Sequence, residues 1–473
     1  MTTYSLTLQE EHLDLLTTKL LHDDHCERAA YLLCNKVPIG RDPWDHQAHR
    51  KYLSSKVIPV IDDEIVTADE THVTWKTPGF VNALKEAESK DQVLAVVHCH
   101  PSGKTAFSTQ DDINESELLQ TAVNRNGVGT HILSLLIGAD RQLIGRIWLQ
   151  ASPNGQEQLR VIRVIGKNIR LDSPKQKTLR SDPTLHRQAL AFGDALNHDL
   201  RALRIGIVGG GATGSAVAML LARLGVGQLL IIDQDIVDRT NLNRLHGAKQ
   251  SDSDAMRFKA NVIADSISTM GLGVRTVPLI AWVGDEKCRD ALRSCDIIFG
   301  CTDDHDGRLF LNRFAYYYLV PVIDIGLAIE VDEGVPPIVR ALDGRVTVVG
   351  PRHTCLLCRE VINTKMALAE SLRRANPEEY ERQKAEAYVI GEGNPSPAVV
   401  TFTTELACVA INELIHRIQG YRGPEGATDS RLRKFNLMRD IRQGRDPRIG
   451  CSICGNDTLW GQGDTEPFLG RVN

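Results

Sequence analysis

The pattern of hydrophobic and polar positions divides the chain into three regions. Up to about residue 155, short strand-like apolar runs are mixed with two helical stretches. Residues 151–183 are polar, with scattered apolar positions and three prolines, and this pattern predicts a last strand followed by a linker. From about residue 184 the order becomes strand, glycine loop, helix, strand and helix, which is typical of an α/β sheet.

The length and composition agree with a chain of several globular domains. Its 473 residues allow two or three domains, and we expect one over 1–155, a linker over 156–183 and another over 184–473. A net charge of −5 without a long basic run argues against nucleic-acid binding. No apolar run is long enough to predict a membrane span. The 11 cysteines suit reduced thiols and metal ligands better than a disulfide scaffold, so we expect a cytoplasmic protein.

The segment "LRIGIVGGGATGSAVAMLLARLGVGQLLIIDQD" predicts a nucleotide site. A buried-strand run leads into Gly209, Gly211 and Gly214, which form the pattern G-x-G-x-x-G before a helix. Glycines let the backbone approach a phosphate, and the helix N-terminus favours its negative charge. A second strand ends at Asp233, which is placed to accept hydrogen bonds from ribose hydroxyls. These features alone favour a nucleotide, with NAD as the default.

Downstream motifs change the expected nucleotide. "HRQALAFG" precedes the glycine loop, and "DQDIVDRTNLNRL", "MRFKAN", "CDIIFGCTDD" and "HDGRLFLNRF" follow it in order, the last with Arg308 and Asn312. Over residues 184–458 this set resembles the ubiquitin-activating-enzyme-like adenylyltransferases, which include ThiF- and MoeB-type enzymes. The resemblance implies a Rossmann-like domain that binds ATP and Mg²⁺, and a homodimer.

The resemblance also implies roles for individual residues. Asp233 matches the ribose-binding aspartate, with Asp235 close by, and Asp303 matches the aspartate that coordinates magnesium. Arg187 matches an arginine that reaches the site of a second copy across the dimer. The residues matching those that hold the ATP phosphates are Asn241, Arg244 and Lys259, although the interval between Arg244 and Lys259 is longer than usual in the family. Adenylation requires charge neutralisation and placement of a carboxylate, which such side chains supply.

Two separated cysteine pairs predict a structural zinc site. Cys355 and Cys358 form one C-x-x-C, and Cys451 and Cys454 form another. Four thiolates suit tetrahedral Zn²⁺ in a closed site, which stabilises a fold rather than catalysing a reaction. The alternative is four reduced thiols without a metal. Split pairs of this kind are also common in the family resembled.

A thioester cysteine is not evident. Many members of the family use a cysteine after the first zinc pair, but residues 359–397 contain none. Cys408 lies in an apolar helical stretch, where we expect it in the core. The chain then either stops at the acyl adenylate, as MoeB-like enzymes do, or uses a hydroxyl group, for which Thr364 and Ser396 are candidates. A helix N-cap role accounts for Thr364 equally well.

A second metal motif lies in the N-terminal region, in "HCHPSGKTAFSTQD". His98 and His100 alternate along a predicted strand, so both face one side, and Asp111 opens the next helix. Two histidines, a carboxylate and a water make an open zinc site of catalytic type. The H-x-H and S-x-x-D spacing resembles the JAMM (JAB/MPN) metalloproteases, over roughly residues 5–150. Packed or surface histidines are the alternative.

The resemblance to JAMM proteases implies a general base and an oxyanion contact. The base is a glutamate on an early strand, a position that Glu27 in "HCERAAYLLC" matches, with Glu64 as a weaker competitor. The family often has glycine soon after this glutamate, where this chain has Ala29 and Ala30. Ser108 would help to hold the oxyanion.

Together the two resemblances predict one substrate class, the C-terminus of a ubiquitin-like or sulfur-carrier β-grasp protein. The first hypothesis is a bifunctional enzyme of a bacterial-type ubiquitin-like modification pathway, which has a conjugating enzyme as a further partner. The second is activation of a sulfur carrier for biosynthesis, with a domain that trims the carrier. In the third, the N-terminal domain only binds the carrier.

Overall fold

The computed structural model describes residues 2–101, 105–150, 155–174, 182–332, 334–385 and 397–463. The chain forms two compact units, the first built mainly from residues before 180 and the second mainly from residues after it. A short early segment, Asp42–His46, belongs to the second unit, and residues 460–463 belong to the first. Both units combine helices with a large sheet, which confirms the α/β class.

The first unit is built on a nine-stranded sheet with the order β11-β10-β1-β3-β2-β6-β7-β8-β9, and β4 pairs with β5 in a separate hairpin. The strands are β1 Thr3–Gln9, β2 Ala29–Ile39, β3 His49–Pro59, β4 Ile65–Ala68, β5 Val73–Trp75, β6 Val93–His100, β7 Ile132–Gly138, β8 Leu143–Trp148, β9 Gln156–Gln158, β10 Ile162–Ile165 and β11 Ile169–Asp172. The helices are α1 Glu10–Leu20, α2 Thr77–Ser89 and α3 Thr109–Asn126.

Two apolar layers cover the sheet of the first unit. Leu13, Leu16 and Leu20 of α1 pack on one face, and Phe80 and Leu84 of α2 pack on the other. Strand β6 is buried along its whole length, since its alternate side chains enter both layers. The strand that carries His98 and His100 is therefore rigidly held.

The region expected to be a linker is partly sheet. Strand β10 pairs in parallel with β1, and β11 pairs with β10. The apolar residues Ile162, Val164, Ile165 and Ile169 are buried in the first unit. The predicted start of the linker at residue 156 therefore differs from the structure, because scattered apolar positions in a polar segment were enough to complete a sheet edge.

The second unit contains an eight-stranded sheet with the order β14-β13-β12-β15-β16-β17-β18-β19. Its strands are β12 Arg204–Val208, β13 Gln228–Ile232, β14 Arg275–Leu279, β15 Ile297–Gly300, β16 Val322–Asp332, β17 Ile338–Val349, β18 Ser430–Lys434 and β19 Arg439–Arg442. The helices are α4 His186–Ala202, α5 Ala212–Leu224, α6 Gln250–Asp254, α7 Lys259–Thr269, α8 Arg289–Arg293, α9 His305–Tyr317, α10 Thr364–Ala375, α11 Pro377–Ala385 and α12 Val400–Gln419.

The strand order places the ligand-binding edge of this sheet. Strands β14, β13, β12, β15 and β16 pair in parallel, and β17 to β19 continue the sheet antiparallel. The order reverses between β12 and β15, and in open α/β sheets ligands bind outside the carboxyl ends of strands at such a switch point. The glycine loop follows β12 at this point, as a Rossmann-like domain requires.

None of the helices in the described ranges is both long and apolar enough to cross a membrane.

Candidate functional site

Strand β6 places both histidines of the first site. His98 and His100 lie on one face of the strand, and both are buried. Cys99 between them points to the other face, where its thiol donates a hydrogen bond to the carbonyl oxygen of Leu20 at 3.1 Å. The alternation predicted from the sequence is confirmed.

Pairing of β2 with β6 brings Glu27 to the histidines. Ala29 pairs with His98, and two more residues of the same antiparallel register put Glu27 opposite His100. The Oε1 atom of Glu27 lies 3.5 Å from Nε2 of His100. The structure has Glu27 in the extended segment just before β2, not on the strand itself. Burial raises the pKa of Glu27 to about 6, with the two imidazoles opposing this shift.

Glu64 lies elsewhere in the first unit. It ends the short 3-10 turn Asp62–Glu64, and its carboxylate lies over Gly79 of α2, where an added Cβ would stand 2.7 Å from Oε1. Of the two glutamates considered as a base, the structure brings Glu27 to the histidines.

The N-terminus of α3 orients the third metal-ligand candidate, Asp111. Ser108 is the N-cap, and its backbone N–H and hydroxyl donate to Oδ2 of Asp111 at 2.7 and 2.8 Å. The Asp111 carboxylate lies 3.3 Å from Nε2 of His98 and 3.5 Å from Nε2 of His100. Burial opposes ionisation of Asp111, but the imidazoles of His100 and His98 hold its pKa well below its usual range. Ser108 therefore fixes the Asp111 carboxylate. The predicted contact between Ser108 and an oxyanion stays a prediction.

These side chains fit a metal ion. One ligand atom each from His98, His100 and Asp111 lies within 4.8 Å of the others. Nε2 of His98 is buried and, apart from the Asp111 carboxylate 3.3 Å away, has no polar partner within the described ranges. This carboxylate does not reach Nε2 with hydrogen-bond geometry, and a cation between the two groups would satisfy both. Two imidazoles and one carboxylate suit zinc and leave a fourth position for water.

A buried ionic network braces this site and was missed from the sequence. Arg146 on β8 donates to Glu115 on α3 at 2.7 Å, and both side chains are almost completely buried. The Arg146 guanidinium lies 3.8 Å from the ring centroid of Phe107, whose ring is 6.0 Å from that of His98. An arginine inside the apolar run "LIGRIW" was the available signal, since buried charges are paired.

The glycine loop of the second unit approaches the chain after β15. Gly209 has a φ of 93°, and an added Cβ there would lie 2.7 Å from the backbone of Cys301. A Cβ on Gly214 would lie 1.8 Å from the carbonyl oxygen of Gly209. Gly211 is the N-cap of α5, so the helix begins at Ala212, inside the glycine pattern and earlier than the predicted start at Ser215. Only glycine permits this close turn.

The two aspartates after β13 have different partners. Asp233 accepts hydrogen bonds from the backbone N–H groups of Gly210 at 2.6 Å and Asp235 at 2.8 Å. Burial raises the pKa of Asp233. Asp235 instead accepts from Nζ of Lys259 at 2.8 Å. The structure thus joins the glycine loop, Asp233, Asp235 and Lys259 at one edge of the sheet.

The remaining predicted nucleotide ligands follow β13 and β15 or lie on α4. Asn241 ends a 3-10 turn, where its side-chain oxygen accepts from the N–H of Asp238 at 3.1 Å, and Arg244 follows it. Asp303 is exposed after β15, whereas neighbouring Asp304 accepts from the indole of Trp282 at 2.9 Å. Arg187 is exposed in the first turn of α4, and no contact joins it to the glycine loop within the described ranges.

The two C-x-x-C pairs meet in space. The four sulfur atoms of Cys355, Cys358, Cys451 and Cys454 all lie within 4.8 Å of one another. The Cys454 thiol lowers the pKa of Cys355 to about 5. Such a thiolate-forming cluster fits structural zinc. Asn312 on α9 supports it, since its side-chain oxygen accepts from the N–H of Leu356 at 2.8 Å.

The candidate nucleophiles are placed differently from expectation. Cys408 is exposed on α12, so the prediction that it lies in the core was wrong: the buried side of the helix carries Leu406, Ala407 and Ala410. Thr364 is exposed as the first residue of α10, but the cap is Asn363, whose side chain accepts from Lys365 N–H at 3.0 Å. Ser396 lies outside the described residues.

Family models match both parts of the chain. The ThiF family matches residues 185–452, and the family of prokaryotic homologs of the JAB domain matches residues 9–149. The first match covers more than half of the chain.

Curated relatives match between a third and about half of the chain. The chain is 26% identical over 260 residues to the molybdopterin-synthase adenylyltransferase of Salmonella typhimurium, covering 54% of this chain and 88% of that protein. It is 26% identical over 158 residues to the SAMP-activating enzyme E1 of Haloferax volcanii, covering 33% of this chain but only 52% of that protein.

Solved structures are similar over somewhat more than half of the chain. A crystal structure of E. coli MccB with MccA-N7isoASN has a TM-score of 0.45 at 15% identity, over 60% of this chain and 78% of that one. A structure of PaaA has a TM-score of 0.42 at 17% identity, over 56% of this chain and 84% of that one.

The family matches confirm both resemblances inferred from the sequence. The range matched by the ThiF family contains the glycine loop, and the range matched by the JAB homologs contains the metal triad. The chain is therefore a member of the ThiF family that carries a JAB-homologous domain before its ThiF domain.

Proposed function

We propose that the C-terminal domain uses ATP and Mg²⁺ to adenylate the C-terminal carboxylate of a ubiquitin-like protein. In the same proposal, the N-terminal domain is a zinc peptidase that processes or deconjugates that protein. The observation that carries the peptidase half is the convergence of Glu27, His98, His100 and Asp111 at one buried point. Membership of the ThiF family supports the adenylation half.

In the N-terminal domain, His98, His100 and Asp111 would hold zinc. When bound, zinc supplies a polarised water and a Lewis acid for the scissile carbonyl. Glu27 sits beside His100, and its pKa of about 6 suits a group that takes a proton from water and returns it to the leaving amine. Ser108 keeps Asp111 in place through two hydrogen bonds.

In the C-terminal domain, adenylation joins a carboxylate oxygen to the α-phosphorus while the bond to the β-phosphate breaks and pyrophosphate leaves. Gly209, Gly211 and Gly214 would let the backbone approach the phosphates, and Asp233 would accept hydrogen bonds from the ribose hydroxyls. Asn241, Arg244 and Lys259 would neutralise phosphate charge, and Asp303 would hold Mg²⁺. Arg187 would act across a homodimer. Lys259 forms an ion pair with Asp235, and a bound phosphate would compete with this carboxylate for its ammonium group.

The location that suits this function is the cytoplasm. None of the 11 cysteines, all of which lie in the described ranges, forms a disulfide, and four of them could hold a metal ion. A reducing compartment keeps such thiols available. The proposed partners are a β-grasp protein and a second copy of the chain, with a conjugating enzyme if the activated protein is transferred.

Activation of a sulfur carrier is the second candidate. The names of the relatives favour it, since they include a molybdopterin-synthase adenylyltransferase. The absence of cysteine from residues 359–397 agrees with an enzyme that stops at the acyl adenylate. In that case the N-terminal domain trims or merely binds the carrier.

Two assays test the proposal. Carrier-dependent ATP–pyrophosphate exchange by the full chain tests adenylation, and cleavage of a carrier extended beyond its terminal Gly-Gly tests the peptidase. Exchange without any cleavage by the zinc-loaded protein would leave the N-terminal domain as a binding module. A hydroxylamine-sensitive adduct between carrier and enzyme would show covalent transfer.

A further inference from the structure

Three charged side chains meet in the second unit, where they come from β16, β17 and α9. Asp324 on β16 is only 1% exposed. Its Oδ2 accepts from Nη2 of Arg345 on β17 at 2.7 Å, and its Oδ1 accepts from Nε of Arg308 on α9 at 3.3 Å. We call these three residues the arginine pair and its aspartate.

The group has an excess positive charge. One carboxylate lies between two guanidinium groups, which always carry charge in proteins. Arg345 also donates a hydrogen bond from Nη1 to the hydroxyl of Thr347 at 3.0 Å. Within the described ranges, Arg308 makes a hydrogen bond only through Nε, so its two terminal nitrogens have no acceptor. The Arg308 side chain is only 13% exposed, and a largely buried guanidinium group whose terminal donors have no protein acceptor favours an anion.

The two guanidinium groups converge over one glycine. A Cβ added to Gly326 would lie 3.0 Å from Nη2 of Arg345 and 3.6 Å from Nη2 of Arg308. Gly326 pairs in register with Arg345, two residues after Asp324 on the same face of β16. Glycine therefore keeps open the space in front of both donors.

The position relative to the glycine loop decides which anion fits. Asp324 pairs with Gly300, the last residue of β15, and the chain then passes Cys301, against which Gly209 packs. The nucleotide-binding candidates Asp233 and Asp235 follow β13, on the opposite side of β12 and β15 from β16. The arginine pair thus lies on the opposite side of the switch point from Asp233 and Asp235, which are expected to bind the nucleotide. A net charge of +1 also matches a monoanion better than a triphosphate.

We propose that Arg308 and Arg345, oriented by Asp324, form a subsite for the terminal carboxylate of the polypeptide that the C-terminal domain activates. The inference rests on the proposed adenylation function and names a residue set for its second substrate. Planar guanidinium groups bind a carboxylate through paired hydrogen bonds, which both neutralise and orient it. The subsite would hold the carboxylate before one of its oxygens attacks the nucleotide.

The test compares two probes on the full chain in the absence of ATP. One is a short fluorescein-labelled peptide that ends in Gly-Gly as a free acid, and the other is the same peptide with a C-terminal amide. We expect the native chain to bind the acid about tenfold more tightly than the amide, from the loss of a charge-assisted hydrogen bond. Arg308→Gln should bind both alike. Arg313→Gln, on the same helix beside Tyr317, is the matched control and should keep the preference.

A second variant guards against a folding defect. In Arg308→Gln, Arg345 still neutralises Asp324, so thermal unfolding should stay close to that of the native chain. Gly326→Ala keeps all three charges but fills the space between the guanidinium groups, and it should also weaken binding of the acid probe. If this variant binds the acid as the native chain does, the subsite is wrong.

Further outcomes separate this inference from the proposed function. Equal binding of acid and amide by the native chain, or no binding of either, would overturn the subsite even if exchange activity is present. A loss of Mg-ATP binding in Arg308→Gln with an intact acid preference would assign the arginine to phosphate instead. Preference for the acid probe without any exchange activity would support the subsite while the adenylation proposal fails.

Discussion

The Oε1 atom of Glu27 lies 3.5 Å from the Nε2 atom of His100, and both side chains are buried. Glu27 comes from the segment before β2, and His100 ends β6. Antiparallel pairing of the two strands makes them neighbours. A base candidate is thereby fixed beside the nitrogen and oxygen ligands of the proposed zinc site.

Replacing this base should separate metal binding from hydrolysis. We expect Glu27→Gln to retain zinc, because His98, His100 and Asp111 are unchanged, and to lose cleavage of a Gly-Gly-extended carrier by about 10²–10⁴-fold. Metal content and cleavage rate are measured on the same preparation. Glu64→Gln, away from the triad, should behave like the native chain. Equal loss in both variants would contradict the assignment of Glu27.

The Ser108–Asp111 contact predicts a metal-affinity effect. Ser108→Ala removes the hydroxyl that donates to Asp111 at 2.8 Å and leaves the backbone donor at 2.7 Å in place. Because an outer hydrogen bond orients a metal ligand, zinc affinity should fall about 10–100-fold. Competition with a chelator measures it. Ser102→Ala, earlier in the segment "HCHPSGKTAFSTQD", is the comparison. Unchanged affinity in Ser108→Ala would exclude an orienting role.

The magnesium assignment predicts a large effect from one exposed carboxylate. Asp303→Ala should reduce carrier-dependent ATP–pyrophosphate exchange at least about a hundredfold. Without this carboxylate Mg²⁺ is not held, and the negative charge that develops on the phosphates is no longer neutralised. Thermal unfolding should be unchanged, since the side chain is exposed. Asp254→Ala, exposed at the end of α6, serves as control. Exchange that survives in Asp303→Ala would show that another residue holds magnesium.

The four-cysteine cluster predicts a defect of stability rather than of chemistry. Cys358→Ser should release the structural zinc and lower the unfolding temperature, since metal binding contributes directly to folding. Zinc in the histidine site should remain. Cys408→Ser, which alters an exposed thiol, should change neither metal content nor stability. A Cys358→Ser protein that keeps both its zinc and its unfolding temperature would disprove a structural metal there.

The partly buried His131 predicts acid sensitivity of the N-terminal domain. Burial lowers the pKa of His131 to about 4 from its ordinary 6.5, and its Nε2 lies 2.9 Å from the hydroxyl of Tyr52. The folded state favours the neutral ring, so this stabilisation is complete above pH 6.5 and is lost as pH falls from 6.5 towards 4. The loss amounts to about 3 kcal/mol.

His131→Gln should therefore flatten the pH dependence of unfolding in that window. Chemical unfolding of the native chain and the variant is followed between neutral pH and pH 4.5, and exposed His22→Gln provides the control. The native chain should lose more stability than His131→Gln on acidification. Identical slopes for all three proteins would rule out His131 as the titrating group.

The sequence by itself determined the features that depend on local geometry. Strand alternation puts His98 and His100 on one face, and helix-start chemistry puts Asp111 near them. The spacing of Gly209, Gly211 and Gly214 required a tight turn into a helix. The short spacing between the two cysteines of each C-x-x-C likewise brings them together by local geometry alone. These parts needed no knowledge of distant contacts.

Only the tertiary structure decided which distant residues meet. Register between β2 and β6 selected Glu27 over Glu64, and pairing of β10 with β1 extended the first sheet into the expected linker. Rotation of α12 exposed Cys408, although its sequence is apolar. The contact of Arg308 and Arg345 with Asp324 likewise joins a helix to two strands. Sheet register and helix rotation are set by packing of the whole unit, so a local pattern does not contain them.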